Sequence, residues 1–72
     1  MSNAPEAVVL WVDSRVPLYA ACTDLPAFFA LVDRNREGRE RLRKQGHADQ
    51  DKRMGDAARA AYDRLKRQAE AA

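Results

Sequence analysis

The chain has 72 residues, with 13 Lys or Arg against 11 Asp or Glu, and 33 hydrophobic residues of which 14 are alanine. The 19 larger apolar side chains allow one small core and exclude two domains. One histidine, one cysteine and two serines leave too few reactive groups for a metal cage, a disulfide framework or most catalytic constellations.

Residues 1–72 are therefore expected to form a single small domain, with residues 1–6 flexible and with no catalytic, cofactor-binding or metal-binding residues. A core of this size is marginal for a chain standing alone, and self-association is the simplest way to enlarge it, so a homodimer or an obligate protein partner is expected. The longest apolar stretch, Ala7 to Val12, has six residues, against about 20 for a membrane-spanning helix. No secretory or transit signal is visible. Cys22 has no mate within the chain, which fits a reducing compartment, and the expected location is the cytoplasm. Charge is uneven: residues 1–32 hold Arg15 against Glu6, Asp13 and Asp24, a net of −2, whereas residues 33–72 hold twelve basic and eight acidic groups, a net of +4.

Asn3-Ala4-Pro5-Glu6 could open a helix, with Asn3 capping and Glu6 reaching back. The residues after it point elsewhere. Val8 to Val12 is a short β-rich run, Asp13-Ser14-Arg15 reads as a turn, and Pro17 demotes Val16 to Ala21 to an edge strand or an irregular segment. The reading is a short apolar strand at about 8–12, with a short helix as the alternative. A strand this short must be covered by helices or paired with another chain. Trp11 and Tyr19 are the residues expected at such a contact.

Thr23-Asp24-Leu25-Pro26 is the clearest helix start: Thr or Asp caps, and Pro26 lies in the first turn, where its missing N–H costs nothing. Leu25, Phe28, Leu31, Val32, Asn35, Arg39 and Leu42 then follow the 3.6-residue period. Phe29 and Ala30 widen the apolar surface, so the first two turns are expected to be buried nearly all round. Asn35 and Arg39 make the seam polar. A polar seam residue can fix helix register, but the simpler expectation is that the helix runs past the core into solvent.

Gln45-Gly46-His47-Ala48-Asp49 reads as a break, with Gly46 in the left-handed position after a helix and Asp49 capping the next one. The second helix presents Met54, Ala58, Ala61, Leu65 and Ala69 at spacings of three and four, with Ala57 and Tyr62 at the edges. The opposite face, Asp56, Arg59, Asp63, Lys66, Arg67 and Glu70, alternates in sign as a solvated surface does. Gly55 and the alanines would let another backbone approach closely. The fold class that follows is mostly α: an antiparallel helical hairpin of about 24–45 and 49–71, preceded by the short apolar segment and dimeric. One continuous helix from 24 to 71 is the alternative, which Gly46 opposes.

Cys22 and His47 would be separated by about 22 helical residues, or roughly 33 Å, too far for a nucleophile–base pair within one chain. The three glycines stand alone, so no phosphate-binding motif exists. The basic stretch supplies a possible nucleic-acid face in Arg36, Arg39, Arg43 and Lys44. Asp33, Glu37 and Glu40 reduce residues 33–44 to a net of +3, and Glu37–Arg41, Glu40–Lys44 and Arg36–Glu40 are placed to pair. No aromatic residue interleaves the stretch to stack on bases. The groove-reading strand of a ribbon-helix-helix repressor needs polar side chains where residues 8–12 are apolar, so that architecture is set aside.

The function expected from the sequence is that of a non-enzymatic interaction protein that inhibits or adapts another protein. Leu10, Trp11, Val12, Leu18, Tyr19, Phe28, Phe29, Val32, Met54, Ala58, Ala61 and Leu65 are its candidate partner or dimer interface. A small dimeric DNA-binding regulator using residues 34–44 is the alternative.

Overall fold

The computed structural model describes residues 4–71, so Asn3 and its expected cap lie outside the described residues. Within them are three helices and no strand: α1 (Glu6–Ala21), α2 (Leu25–Lys44) and α3 (Ala48–Ala71). The mostly helical class holds, and at 8–12 the strand is corrected to the helix kept as its alternative, in the N-terminal half of α1.

Two features of the sequence point away from a helix at α1. Asp13-Ser14-Arg15 is a turn by composition, yet Asp13 and Ser14 lie on the exposed side of α1, and the Ser14 hydroxyl donates back to the Trp11 carbonyl at 2.6 Å. Pro17 sits inside the helix. It cannot donate to the carbonyl four residues earlier, but that carbonyl belongs to Asp13, on the exposed side. What holds α1 helical is tertiary. Val12 and Tyr19 are completely buried, with Val8 and Val16 packed against the same core, and 8, 12, 16 and 19 share one helical face. Burial on that face overrides the β preference of the valines.

α2 starts as its sequence indicates. Asp24 is the N-cap, its carboxylate accepting from the Ala27 N–H at 2.8 Å, and Pro26 lies in the first turn. It ends on a left-handed Gly46 at φ 81°. There the His47 N–H reaches the Leu42 carbonyl at 2.8 Å and the Gly46 N–H reaches that of Arg43 at 3.2 Å, the paired bonds that close a helix C-terminus on glycine. This break removes the continuous-helix alternative. α3 begins one residue before the expected cap, so Asp49 lies with Asp51 inside its first turn, where negative charge suits the helix dipole.

α3 is the organising element. It packs extensively on both α1 and α2, whereas α1 and α2 touch each other little. Met54, Ala58, Ala61 and Leu65 are buried as their spacing indicates, and Gln50 joins them. Ala69 is exposed, a correction: the core ends at Leu65 and the last six described residues of α3 lie in solvent. Phe28, Leu31 and Leu42 complete the core from α2. Arg53 Nη2 bonds Asp13 Oδ1 at 2.7 Å, joining α3 to α1. Arg64 Nη2 donates to the Cys22 carbonyl at 2.7 Å, giving the C-terminal end of α1 the cation its own last turn lacks.

Candidate interaction surfaces

The two sides of α2 differ. Toward α3 the seam is bridged by charge and aromatic contact, beside a hollow of about 550 Å³ lined by Phe28, Phe29, Val32, Gly55 and Tyr62. Arg39 Nε bonds Asp51 Oδ1 at 2.7 Å, and Arg43 Nη1 lies 3.2 Å from both carboxylate oxygens. Burial pushes the Asp51 carboxyl up, but the bonds and charges of Arg39 and Arg43 outweigh it and leave the group below its ordinary 3.8. Arg39 also covers Gly55, where an added Cβ would stand 3.0 Å from the guanidinium. The space expected to admit another backbone is thus filled by a side chain of this chain. Phe28, Phe29 and Tyr62 cluster at the other end of the seam, with centroids 5.5–6.3 Å apart.

Toward α1, beyond the Tyr19–Phe28 ring contact at 6.3 Å between centroids, the seam is bridged at two points. Asn35, only 2 % exposed, donates from Nδ2 to the Tyr19 hydroxyl at 3.0 Å. The expectation that α2 runs past the core after Val32 is therefore corrected, since Asn35 and Leu42 are both interior. The second bridge is the Trp11 indole against Gly38. A Cβ there would meet the ring, with Cζ2 at 2.7 Å, so the absence of a side chain is what lets the indole lie on α2.

Between and beyond these bridges the α1–α2 side is an open furrow. One hollow of about 400 Å³ includes Trp11, Arg15, Arg34, Gly38 and Arg41 in its lining. A second, about 380 Å³, is lined by Leu18, Cys22, Ala27 and Ala30 and shares Arg34 with the first. The two form one track along the helix pair. Arg15 lies over the Trp11 ring, its Cζ 5.5 Å from the centroid, and its Nε is buried without a hydrogen-bond partner. An orphaned donor of this kind costs about 1–3 kcal/mol until something accepts from it. Among the described residues, Arg34 and Arg41 have no ion pair and no side-chain hydrogen bond.

Of the twelve residues expected at a partner interface, seven (Val12, Tyr19, Phe28, Met54, Ala58, Ala61, Leu65) form this chain's own core. Trp11 and Val32 are partly buried, while Leu10 is 58 %, Leu18 39 % and Phe29 53 % exposed. Phe29 and Ala30 thus correct the expectation of all-round burial. Each side of α2 has only one helix against it, and that helix does not cover them. Of the four candidate nucleic-acid residues, Arg39 and Arg43 hold Asp51 and Arg36 pairs with Asp33 at 3.1 Å. None of the i,i+4 pairs expected within α2 forms: Arg36 turns to the nearer Asp33, and Glu37–Arg41 and Glu40–Lys44 are left unmade. Sequence reasoning missed Arg15, Arg34 and Arg41. The signal was the place of Arg34 and Arg41 on the stripe 34, 38, 41, 45, which the expected strand left without an opposing helix.

No protein-family model matches the chain, and neither the curated proteins nor the solved structures contain a significant match. Among the described residues no group of His, Cys, Asp or Glu is placed to hold a metal, and no helix is long and apolar enough to cross a membrane. Cys22 donates its thiol to the Leu18 carbonyl at 3.4 Å, at the opposite end of α2 from His47.

Proposed function

We propose that the chain is a non-enzymatic interaction protein whose α1–α2 face docks on another protein and modulates it. One observation carries this reading: apolar residues are spread around α1 and not gathered on one face, yet only one side of it is buried in the chain's own core. Leu10 and Leu18 are left in solvent, the second beside an open furrow. Apolar surface next to a concave track, rimmed by charge, is what a partner-binding face offers.

The test is affinity capture from the native host with the intact chain, repeated with L10E/L18E and with the single substitution F29E on the α2–α3 side. A partner retained by the parent chain and by F29E, and lost with L10E/L18E, supports the reading. Recovery unchanged by L10E/L18E overturns it. Sedimentation of the same samples decides whether that face instead holds a second copy. The alternative, a DNA-binding regulator, requires Arg36, Arg39 and Arg43 to release their carboxylates before meeting phosphate. Tight binding to random duplex DNA with a steep salt slope would favour it.

A further inference from the structure

We infer that the occupant of the α1–α2 furrow is an amphipathic α-helix with acidic flanks, presented by the partner protein; this rests on the docking role proposed above. The shape argues for a helix. α1 and α2 both lean on α3 and barely on each other, the relation of diagonal helices in a four-helix bundle that has lost its fourth member. A helix laid opposite α3 would restore two neighbours to each. From the level of Ala7 to that of Cys22 the track runs about 22 Å, the length of about 15 helical residues.

The chemistry argues for acidity. The apolar floor of the track is the Trp11 indole, with Leu18 at its other end, which suits a leucine-rich seam. Along its walls stand Arg15 from α1 and Arg34 and Arg41 from α2, with Glu37 the one acidic group among them. Every other arginine of α2 has found a carboxylate in this chain. These three have none, and the buried Nε of Arg15 lacks any acceptor. Arginine forks on both walls of an apolar track fit Asp or Glu side chains flanking an apolar stripe, and the same charges would repel a basic helix.

The experiment uses the full chain and a designed 18-residue helical peptide with leucines on one seam and glutamates on both flanks. Controls are the same peptide with lysines in place of glutamates and one with serines in place of leucines. Trp11, the single tryptophan, is the reporter. Saturable change in its emission with the acidic peptide alone, at least tenfold weakening in R34Q/R41Q, and further weakening with added salt are the results expected. R34Q/R41Q alters only exposed side chains, and its unchanged melting checks that folding is intact. Equal binding of the lysine peptide, or indifference to R34Q/R41Q, overturns the inference. So does a dimer in sedimentation that R34Q/R41Q dissociates, since a second copy would then fill the track. If capture remains sensitive to L10E/L18E while the acidic peptide does not bind, the inference fails and the docking role stands. If both fail, the furrow is not an interface.

Discussion

α2 carries arginines toward both of its neighbours, and their fates differ. On the α3 side, Arg39 and Arg43 converge on one half-sheltered carboxylate, Asp51, whose side chain is 13 % exposed. On the α1 side, Arg34 and Arg41 look onto a furrow whose opposite wall offers them Trp11 and another arginine. Helix propensity and spacing are alike for all four residues. What separates them is whether the facing helix supplies an acceptor, so a charge-paired seam and an unpaired one can lie on a single helix. The α1–α2 seam is held by few contacts, each of which should matter; the α2–α3 seam spreads its stabilisation over more.

The largest effect is expected at Tyr19. Tyr19→Ala removes a ring that is completely buried and in contact with Phe28, at 6.3 Å between centroids, and orphans Asn35. A loss of about 3–5 kcal/mol, as for other large aromatic truncations, should be measurable by denaturant unfolding. Tyr19→Phe isolates the hydroxyl and should cost about 1–3 kcal/mol, since the dry amide of Asn35 loses its acceptor. Combining Tyr19→Phe with Asn35→Leu should recover most of that loss. A double variant no more stable than Y19F would show that the pair does not bridge the seam.

Gly38 should give a reversal of sign. Alanine is ordinarily better than glycine in a helix by about 1 kcal/mol, but here the methyl group collides with the Trp11 ring. G38A alone should be destabilised by about 1–2 kcal/mol, with the tryptophan emission moved toward that of a solvated indole. In a W11L background the same change should stabilise by about 1 kcal/mol. A stabilising G38A in the parent chain would mean that the indole does not lie on α2.

On the other seam, Asp51→Asn should cost about 1–2 kcal/mol, the range of a hydrogen bond to a charged group that solvent partly screens. Because the Asp51 carboxyl is held below its unfolded value of 3.8, its contribution is present above that pH and lost as pH falls through the folded value. Melting profiles of the parent chain should therefore fall on the acid side, and the fall should be shallower in D51N. The smallest effect belongs to the unpaired arginines: Arg34→Gln should change stability by no more than about 0.5 kcal/mol. A loss comparable to that of D51N would reveal an internal partner for Arg34 and remove the asymmetry.

How much of this was legible in the sequence follows the same division. The amphipathic pattern of α3 as far as Leu65, its start near Asp49, the Asp24 cap and the Gly46 stop all rest on local rules, and the structure agrees with each to within a residue. α1 was illegible because its cues conflict: a β-branched run, a turn-like triplet and an internal proline outweigh a helical stripe that shows only when Val8, Val12 and Tyr19 are aligned. With α1 read as a strand, α2 had no neighbour on that side, and Asn35 and Arg39 looked like residues left in water. The furrow and its arginines could not be found until α1 was a helix. By contrast, the apolar residues of the α2–α3 seam follow from helical periodicity, whereas its ion pairs do not, since spacing within α2 says nothing about Asp51 on the next helix, which holds Arg39 and Arg43.

The dependence of both earlier helices on α3 bears on how the chain is made. During synthesis α1 and α2 leave the ribosome before the surface that each of them packs on exists, and they have little to hold each other by. Until Met54, Ala58, Ala61 and Leu65 have emerged, the buried faces of both helices are exposed to whatever else is in solution. Folding should thus be a late, single event, and a ribosome-bound chain stalled before Met54 should be bound by chaperones and cut readily by proteases.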